Sequence, residues 1–166
     1  MVEAIETYYR GYKFRSRLEA RWAVFFDYMG ITFQYEPEGY KLPSGWYLPD
    51  FWLTQVNMWA EVKQNEFDRR EYSLAFNLSK LTRFPCLMLV GEPDFKPYRS
   101  VSAVEGIDET GKLIWDDINV FYCLVSSYLE EGNFYYCQTD EQALDDYGSD
   151  YKEAVYAARG HRFDPD

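Results

Sequence analysis

Between residues 16 and 30 the apolar positions Leu18, Trp22, Phe25, Phe26 and Met29 recur three and four residues apart, the period of one face of a helix. Ser16-Arg17-Leu18-Glu19 is a capping box at the start of that face and Gly30 closes it, which predicts a first helix over residues 16–29. The period then shortens. Residues 31–35 form a β-type run, Glu36-Pro37-Glu38-Gly39 is turn chemistry, and residues 46–53 and 58–63 are strand-like runs separated by four mostly polar residues, which predicts a hairpin. Helical spacing returns with Phe67, Leu74, Ala75, Leu78 and Leu81 over residues 67–82, and 85–90 is a continuous apolar run closed by Gly91. The last three elements read as a strand–helix–strand crossover. The whole reads α-β-β-β-α-β, an α/β architecture with a central mixed sheet flanked by helices.

Beyond Gly91 the pattern is less regular. Residues 112–115, 120–125 and 134–137 have the composition of short strands or apolar helical turns, and residues 151–159 that of a helix with Gly160 past its end. The segment Gly106-Ile107-Asp108-Glu109-Thr110-Gly111-Lys112 has the spacing of a phosphate-binding loop. Leu113 stands where that loop requires Ser or Thr and two acids stand where phosphates would lie, so it is read as a hairpin turn. With no repeat and no Pro/Gly/Ser linker, residues 1–95 are taken as a core. Residues 96–166 are an acidic, aromatic-rich C-terminal elaboration packed on it.

A chain of 166 residues has room for one compact domain. No run approaches the roughly 18 apolar residues of a membrane span, and no secretory leader is visible, so a soluble cytoplasmic protein is expected. Cys86, Cys123 and Cys137 form no CxxC pair and are expected to be reduced. Aromatics make up 20% of the chain, too many for a disordered acidic tail. The net charge of −11 argues against a nucleic-acid partner until it is located: residues 1–90 hold 11 Lys/Arg against 11 Asp/Glu, whereas residues 91–166 hold 6 against 17. The first half is balanced and the excess lies in the second.

The chemistry-bearing residues lie in the balanced half: Glu19 on the first helix, Asp50 in Leu48-Pro49-Asp50-Phe51, and Glu61-Val62-Lys63. A hairpin centred between Gln55 and Val56 puts position 50 directly opposite position 61. Opposed like charges, roughly 5 Å apart at Cβ, are destabilising unless something neutralises them, which a divalent cation would do. Strand period 2 puts Trp59, Glu61 and Lys63 on one face and Met58, Ala60 and Val62 on the core face. Glu19 falls at the edge of the helix's apolar stripe, toward the sheet margin. Hard oxygen ligands suit Mg²⁺ or Mn²⁺, whose bound water can attack a phosphodiester. Lys63 would orient or deprotonate that water, or stabilise the charge that develops.

Glu19, Pro49-Asp50 and Glu61-Val62-Lys63 on an α-β-β-β-α-β pattern resemble the PD-(D/E)xK nuclease superfamily, which has a restriction-endonuclease-like core. Residues 12–23 with Tyr47-Leu48-Pro49-Asp50-Phe51-Trp52-Leu53 are similar to small uncharacterised phage and bacterial proteins of that kind. The likeness covers residues 10–91. It implies a metal-dependent nuclease, DNA before RNA, with Glu19, Asp50 and Glu61 as metal ligands and Asp50, Glu61 and Lys63 as the catalytic set. Gln64 and Tyr72 stand where some relatives carry accessory site residues, and a phage protein of this kind would work in the host cytoplasm. Arg10, Lys13, Arg15, Arg17 and Arg21, interleaved with Tyr8, Tyr9, Tyr12 and Phe14, offer a phosphate-binding and base-stacking approach at the start of the first helix.

Each residue also has a plainer role. Glu19 is the N3 residue of a capping box, Asp50 follows an edge-strand proline, Glu61 and Lys63 suit a solvated strand face, and the basic entry suits a solvated helix start. Arg159, His161 and Arg162 crowd a helix C-terminus, where cations are favoured by the helix dipole, and are read as structural. The charge imbalance supports a second function: a nuclease-like binding or regulatory module, silent alone, whose acidic half docks a basic protein partner or imitates nucleic acid. Alternatively that half covers the site until a partner displaces it.

Overall fold

The computed structural model describes residues 4–96, 98–107, 113–123, 137–138 and 149–163. The chain opens with a hairpin that periodicity did not reveal, β1 (Thr7–Tyr9) and β2 (Tyr12–Phe14). Its loop residues Arg10 and Gly11 both have positive φ, 46° and 82°, as a tight two-residue hairpin turn requires. Helix α1 follows (Arg17–Tyr28), with Ser16 extended and its hydroxyl accepting the Glu19 N–H. The capping box is only half made, because the Glu19 carboxylate takes the Ser16 hydroxyl rather than its backbone N–H. Gly30, at φ 68°, ends the helix.

The chain then makes β3 (Phe33–Tyr35), a small separate hairpin of β4 (Tyr40–Leu42) and β5 (Gly45–Tyr47), then β6 (Phe51–Leu53) and β7 (Met58–Lys63). The single strand expected over 46–53 is therefore two. Pro49, with no N–H to give a ladder, separates Tyr47 on β5 from Phe51 on β6. The β6–β7 register pairs Leu53 with Met58, Trp52 with Trp59 and Phe51 with Ala60, the centre expected from the sequence, so the next step sets Asp50 opposite Glu61. Helix α2 (Arg69–Thr82) starts on a full capping box of Asp68 and Glu71, and β8 (Cys86–Val90) returns parallel to β7. A parallel pair needs such a crossover. Leu81 was expected on the buried face of α2 but is 58% exposed, and the stripe runs through Ala75, Leu78 and Ser79 instead.

Strand β9 (Tyr98–Ile107), not foreseen, pairs antiparallel with β8 and with β10 (Leu113–Cys123), a single strand where two short ones were expected. Ile107 pairs with Leu113; the hairpin turn expected between them lies at 108–112, outside the described residues. Strand β11 (Cys137–Gln138) sets Cys137 opposite Cys123, and α3 spans Ser149–Gly160, so Gly160 is its last residue rather than past its end. The seven-stranded mixed sheet has the order β11-β10-β9-β8-β7-β6-β3, which makes the protein α/β. Among the described residues no helix is long and apolar enough to cross a membrane.

Two buried clusters hold this together. On one face Trp22, Phe25 and Phe26 of α1 meet Phe51, Met58, Ala60 and Leu87, closed from outside by Tyr151, Ala154, Val155 and Ala158 of α3. On the other, Ala75 and Leu78 of α2 meet Trp59, Cys86, Met88 and Val101, with Leu42 and Tyr47 of the small hairpin. Trp59 was expected to share an open face with Glu61 and Lys63, yet it is 5% exposed. Beside a parallel crossover both sheet faces are covered, so its face is core at one end and site at the other.

Candidate active site

Asp50 and Glu61 come together as the hairpin symmetry requires. The Val62 N–H donates to Asp50 Oδ2 (2.8 Å) and the Asp50 N–H to Glu61 Oε2 (3.4 Å), which also accepts the Tyr47 hydroxyl (2.9 Å). Part of each residue reaches the surface, but both carboxylates sit within the protein. Burial, then the charges of Glu61 and Glu19, push the Asp50 carboxyl well above the usual carboxylate range despite the Val62 N–H. Burial also pushes Glu61 up to about 7, against the Tyr47 and Asp50 hydrogen bonds and helped by the charges of Glu19 and Glu71. Among the described residues no Lys or Arg pairs with either.

Lys63 is turned elsewhere. Its ammonium grips both oxygens of Glu71, which also closes the α2 capping box through the Asp68 N–H (2.7 Å). Glu19 stands beside the acid pair, close enough to act on both electrostatically, but its oxygens hold the Ser16 hydroxyl, the Arg15 N–H and the Tyr35 hydroxyl. Among the described residues no three acid, imidazole or thiolate groups converge on one ion position. Two hard carboxylates buried side by side, with no cationic partner among the described residues, are nonetheless donors of the kind that Mg²⁺ or Mn²⁺ takes. Cys86, behind them, is a buried free thiol raised by burial and by Glu61.

A groove of about 350 Å³ opens on Glu61, walled by Arg15, Trp46, Tyr47, Leu48, Glu71 and Leu74. Trp46 is 70% exposed. Tyr47, Trp46 and Glu71 were not anticipated as site residues. For Glu71 a signal existed, since Asp68-Arg69-Arg70-Glu71 reads as a capping box; Tyr47 and Trp46 reach the site only through the β4–β5 hairpin. Gln64 is exposed just past β7, and Tyr72 lines a different cavity with Lys96 and Arg99.

The basic entry to α1 divides. Arg15 reaches Glu36 (2.7 Å), Arg10 reaches Asp27 (2.9 Å) and Lys13 reaches Glu6 (2.6 Å), all with exposed cations. Such surface pairs contribute little to stability. Arg17 is exposed. Arg21 is structural: one guanidinium nitrogen donates to the carbonyls of Ala158 and Arg159 (2.7 Å each), and another meets Glu92 (3.0 Å). These bonds satisfy orphan carbonyls at the α3 C-terminus. Arg21→Met should lower stability by about 1.5–3 kcal/mol, read by urea unfolding, because the contacts are charge-assisted and half-buried. An unchanged midpoint would return Arg21 to the nucleic-acid set. Arg159 is likewise tied to Asp94 and to the Pro93 carbonyl, and His161 packs with Tyr9 and Phe163 in a cluster of three mutually touching rings.

No protein-family model matches the chain, and no curated protein and no solved structure is significantly similar to it, so the reading of this site rests on its own geometry.

Proposed function

We propose that the chain is a divalent-cation-dependent nuclease of the PD-(D/E)xK kind, with a restriction-endonuclease-like core, hydrolysing phosphodiester bonds in DNA before RNA. The observation that carries this is the buried Asp50–Glu61 pair, raised by burial and by neighbouring carboxylates, with Glu61 opening on a groove that holds a cation and an exposed tryptophan. Asp50 and Glu61 would hold Mg²⁺ or Mn²⁺, and Glu19 would join them as a third carboxylate by exchanging its bonds to Ser16 and Tyr35 for the ion. The ion supplies charge neutralisation and an acidified water. The Val62 N–H and Tyr47 hydroxyl hold the two carboxylates in place, Arg15 receives a backbone phosphate, and Trp46 offers a ring to a base. Lys63, two residues from Glu61 on the same face, would lend its ammonium to the charge developing on the phosphoryl oxygens or orient the attacking water.

One observation favours a second reading, a module silent until engaged: Lys63 is held by Glu71 rather than by the acid pair. Glu71→Gln keeps a residue that can complete the capping box and removes the charge that holds Lys63. If that grip restrains the enzyme, the substitution raises cleavage severalfold with little loss of stability; a fall in cleavage would mean that Glu71 positions Lys63 for catalysis.

The direct test is cleavage of labelled linear, single-stranded, flapped and four-way-junction DNA, and of RNA, with Mg²⁺ or Mn²⁺. Chelator and Asp50→Asn are the controls. Cleavage lost in both supports the nuclease. Cleavage that survives Asp50→Asn, or none on any substrate even with Glu71→Gln, removes the assignment.

A further inference from the structure

A second cavity of about 260 Å³, which shares none of the described lining residues of the acid groove, is lined by Tyr40, Trp52, Trp59 and Phe84 with Gln34, Glu38 and Thr82. Its aromatic rings form a continuous wall: Trp52 lies 4.6 Å from Trp59 and 5.0 Å from Phe84 between centroids, and Tyr40 lies 5.5 Å from Trp59. The Trp59 indole N–H is satisfied by the Thr82 hydroxyl (3.0 Å), so Trp59 presents ring surface rather than an open donor. Phe84 is 37% exposed and Trp52 is half-buried. The rim is polar, with the exposed amide of Gln34 and the carboxylate of Glu38, one oxygen of which accepts the Tyr40 hydroxyl. Among the described residues no Lys or Arg lines the cavity.

An aromatic slot with an amide and a carboxylate at its edge matches a flat ring whose faces are apolar and whose edge carries donors. A free phosphate or carboxylate would find no cation among the described lining residues and would face the Glu38 carboxylate. The slot is also tied to the groove by two elements. Trp59 and Glu61 are two residues apart on one face of β7, about 6.7 Å by strand rise. Tyr40 and Tyr47 are register partners in the β4–β5 hairpin, Tyr40 walling the slot and Tyr47 the groove.

We propose that this slot takes one unpaired nucleobase next to the phosphate that is cut, so that the substrate is single-stranded or flapped nucleic acid rather than uninterrupted duplex. The inference rests on the nuclease reading for its orientation, not for the slot itself. A base bearing an exocyclic amino group, as in adenine or cytosine, can donate to the Glu38 carboxylate, whereas thymine lacks that donor.

The test is a fluorescence titration of a short single strand carrying one 2-aminopurine, with the Lys63→Ala protein in Ca²⁺ buffer so that the strand stays whole. Stacking in the slot quenches the probe. Phe84→Ala and Trp52→Leu, in that background and with melting curves to verify folding, should each weaken binding by roughly tenfold, the usual scale of one lost base–aromatic stack, and restore probe emission. Unchanged affinity and quenching in both folded variants, or duplex bound as tightly as single strand, would overturn the proposal. The two readings separate cleanly. Cation-dependent cleavage by the wild type that is indifferent to Phe84→Ala removes the slot and leaves the nuclease. Slot-dependent quenching with no cleavage under any condition keeps the slot and removes the nuclease.

Discussion

Glu61→Gln is expected to end cation-dependent cleavage and, in the same protein, to raise thermal stability at pH 8. An unperturbed glutamate titrates near 4.5, whereas Glu61 in the fold is pushed up to about 7, first by burial. Between those values the unfolded chain has released a proton that the folded chain retains, so stability falls as pH rises across that window. Above it the folded protein carries the whole cost of a buried charge, about 3 kcal/mol for a shift of this size. Glutamine carries no charge and still accepts the Tyr47 hydroxyl. At pH 8 the variant should therefore gain roughly 2 kcal/mol, about 4–8 °C in Tm for a chain of this length. Near pH 4 both proteins are neutral at this position and should melt together.

A divalent cation should reproduce part of this gain in the wild type at pH 8 and none of it in Glu61→Gln, because it neutralises the same carboxylates. The decisive observations are melting temperature at two pH values, with and without Mg²⁺ or Mn²⁺, beside the cleavage rate. A variant that melts lower at pH 8 would mean that the acid pair is already neutralised. One that cleaves like the wild type would remove Glu61 from the catalytic set. Loss of activity joined to a gain in stability is the signature of a site whose charges are held together at the expense of the fold.

Tyr151→Ala should destabilise the whole protein by about 3–5 kcal/mol, the range for emptying a large aromatic from a core. Tyr151 is fully buried, packs against Phe25 and Phe95, and donates its hydroxyl to the Asp94 carbonyl (2.6 Å). Tyr151→Phe keeps the ring and leaves that bond unmade, which should cost about 1–2 kcal/mol. The consequence extends beyond α3. Helix α1 carries Glu19 and Arg21, and its outer aromatic face is closed by α3, so both variants should unfold in one transition that includes the site. An early, separate loss of α3 that leaves the remainder intact would show that the C-terminal helix is an attachment rather than part of the core.

The parts legible in the sequence are those governed by neighbours along the chain. Ser16 and Gly30 bound α1, the run closed by Gly91 marks β8, and the β6–β7 hairpin could be centred to the residue because side chains alternate strictly about a symmetric turn. The juxtaposition of Asp50 and Glu61 follows from that alone. The β1–β2 and β4–β5 hairpins were not legible, since three-residue strands are too short to show a period. Strand β9 was missed as well.

What only the folded chain decides is which groups meet across elements distant in sequence. Tyr47 reaches Glu61 because Pro49 breaks the expected strand and a small hairpin folds over the sheet. Lys63 faces Glu71 because the α2 capping box brings a carboxylate to the end of β7, and Glu19 is held by Tyr35 because β3 runs beside α1. Trp59 is buried because a helix covers each face of β7, and Arg21 serves the C-terminus of α3 rather than a ligand. Local sequence sets turns, caps and the side on which a residue points. The partner of a buried charge depends on chain closure, where burial makes an unpaired group costly and whichever element packs nearest supplies the answer.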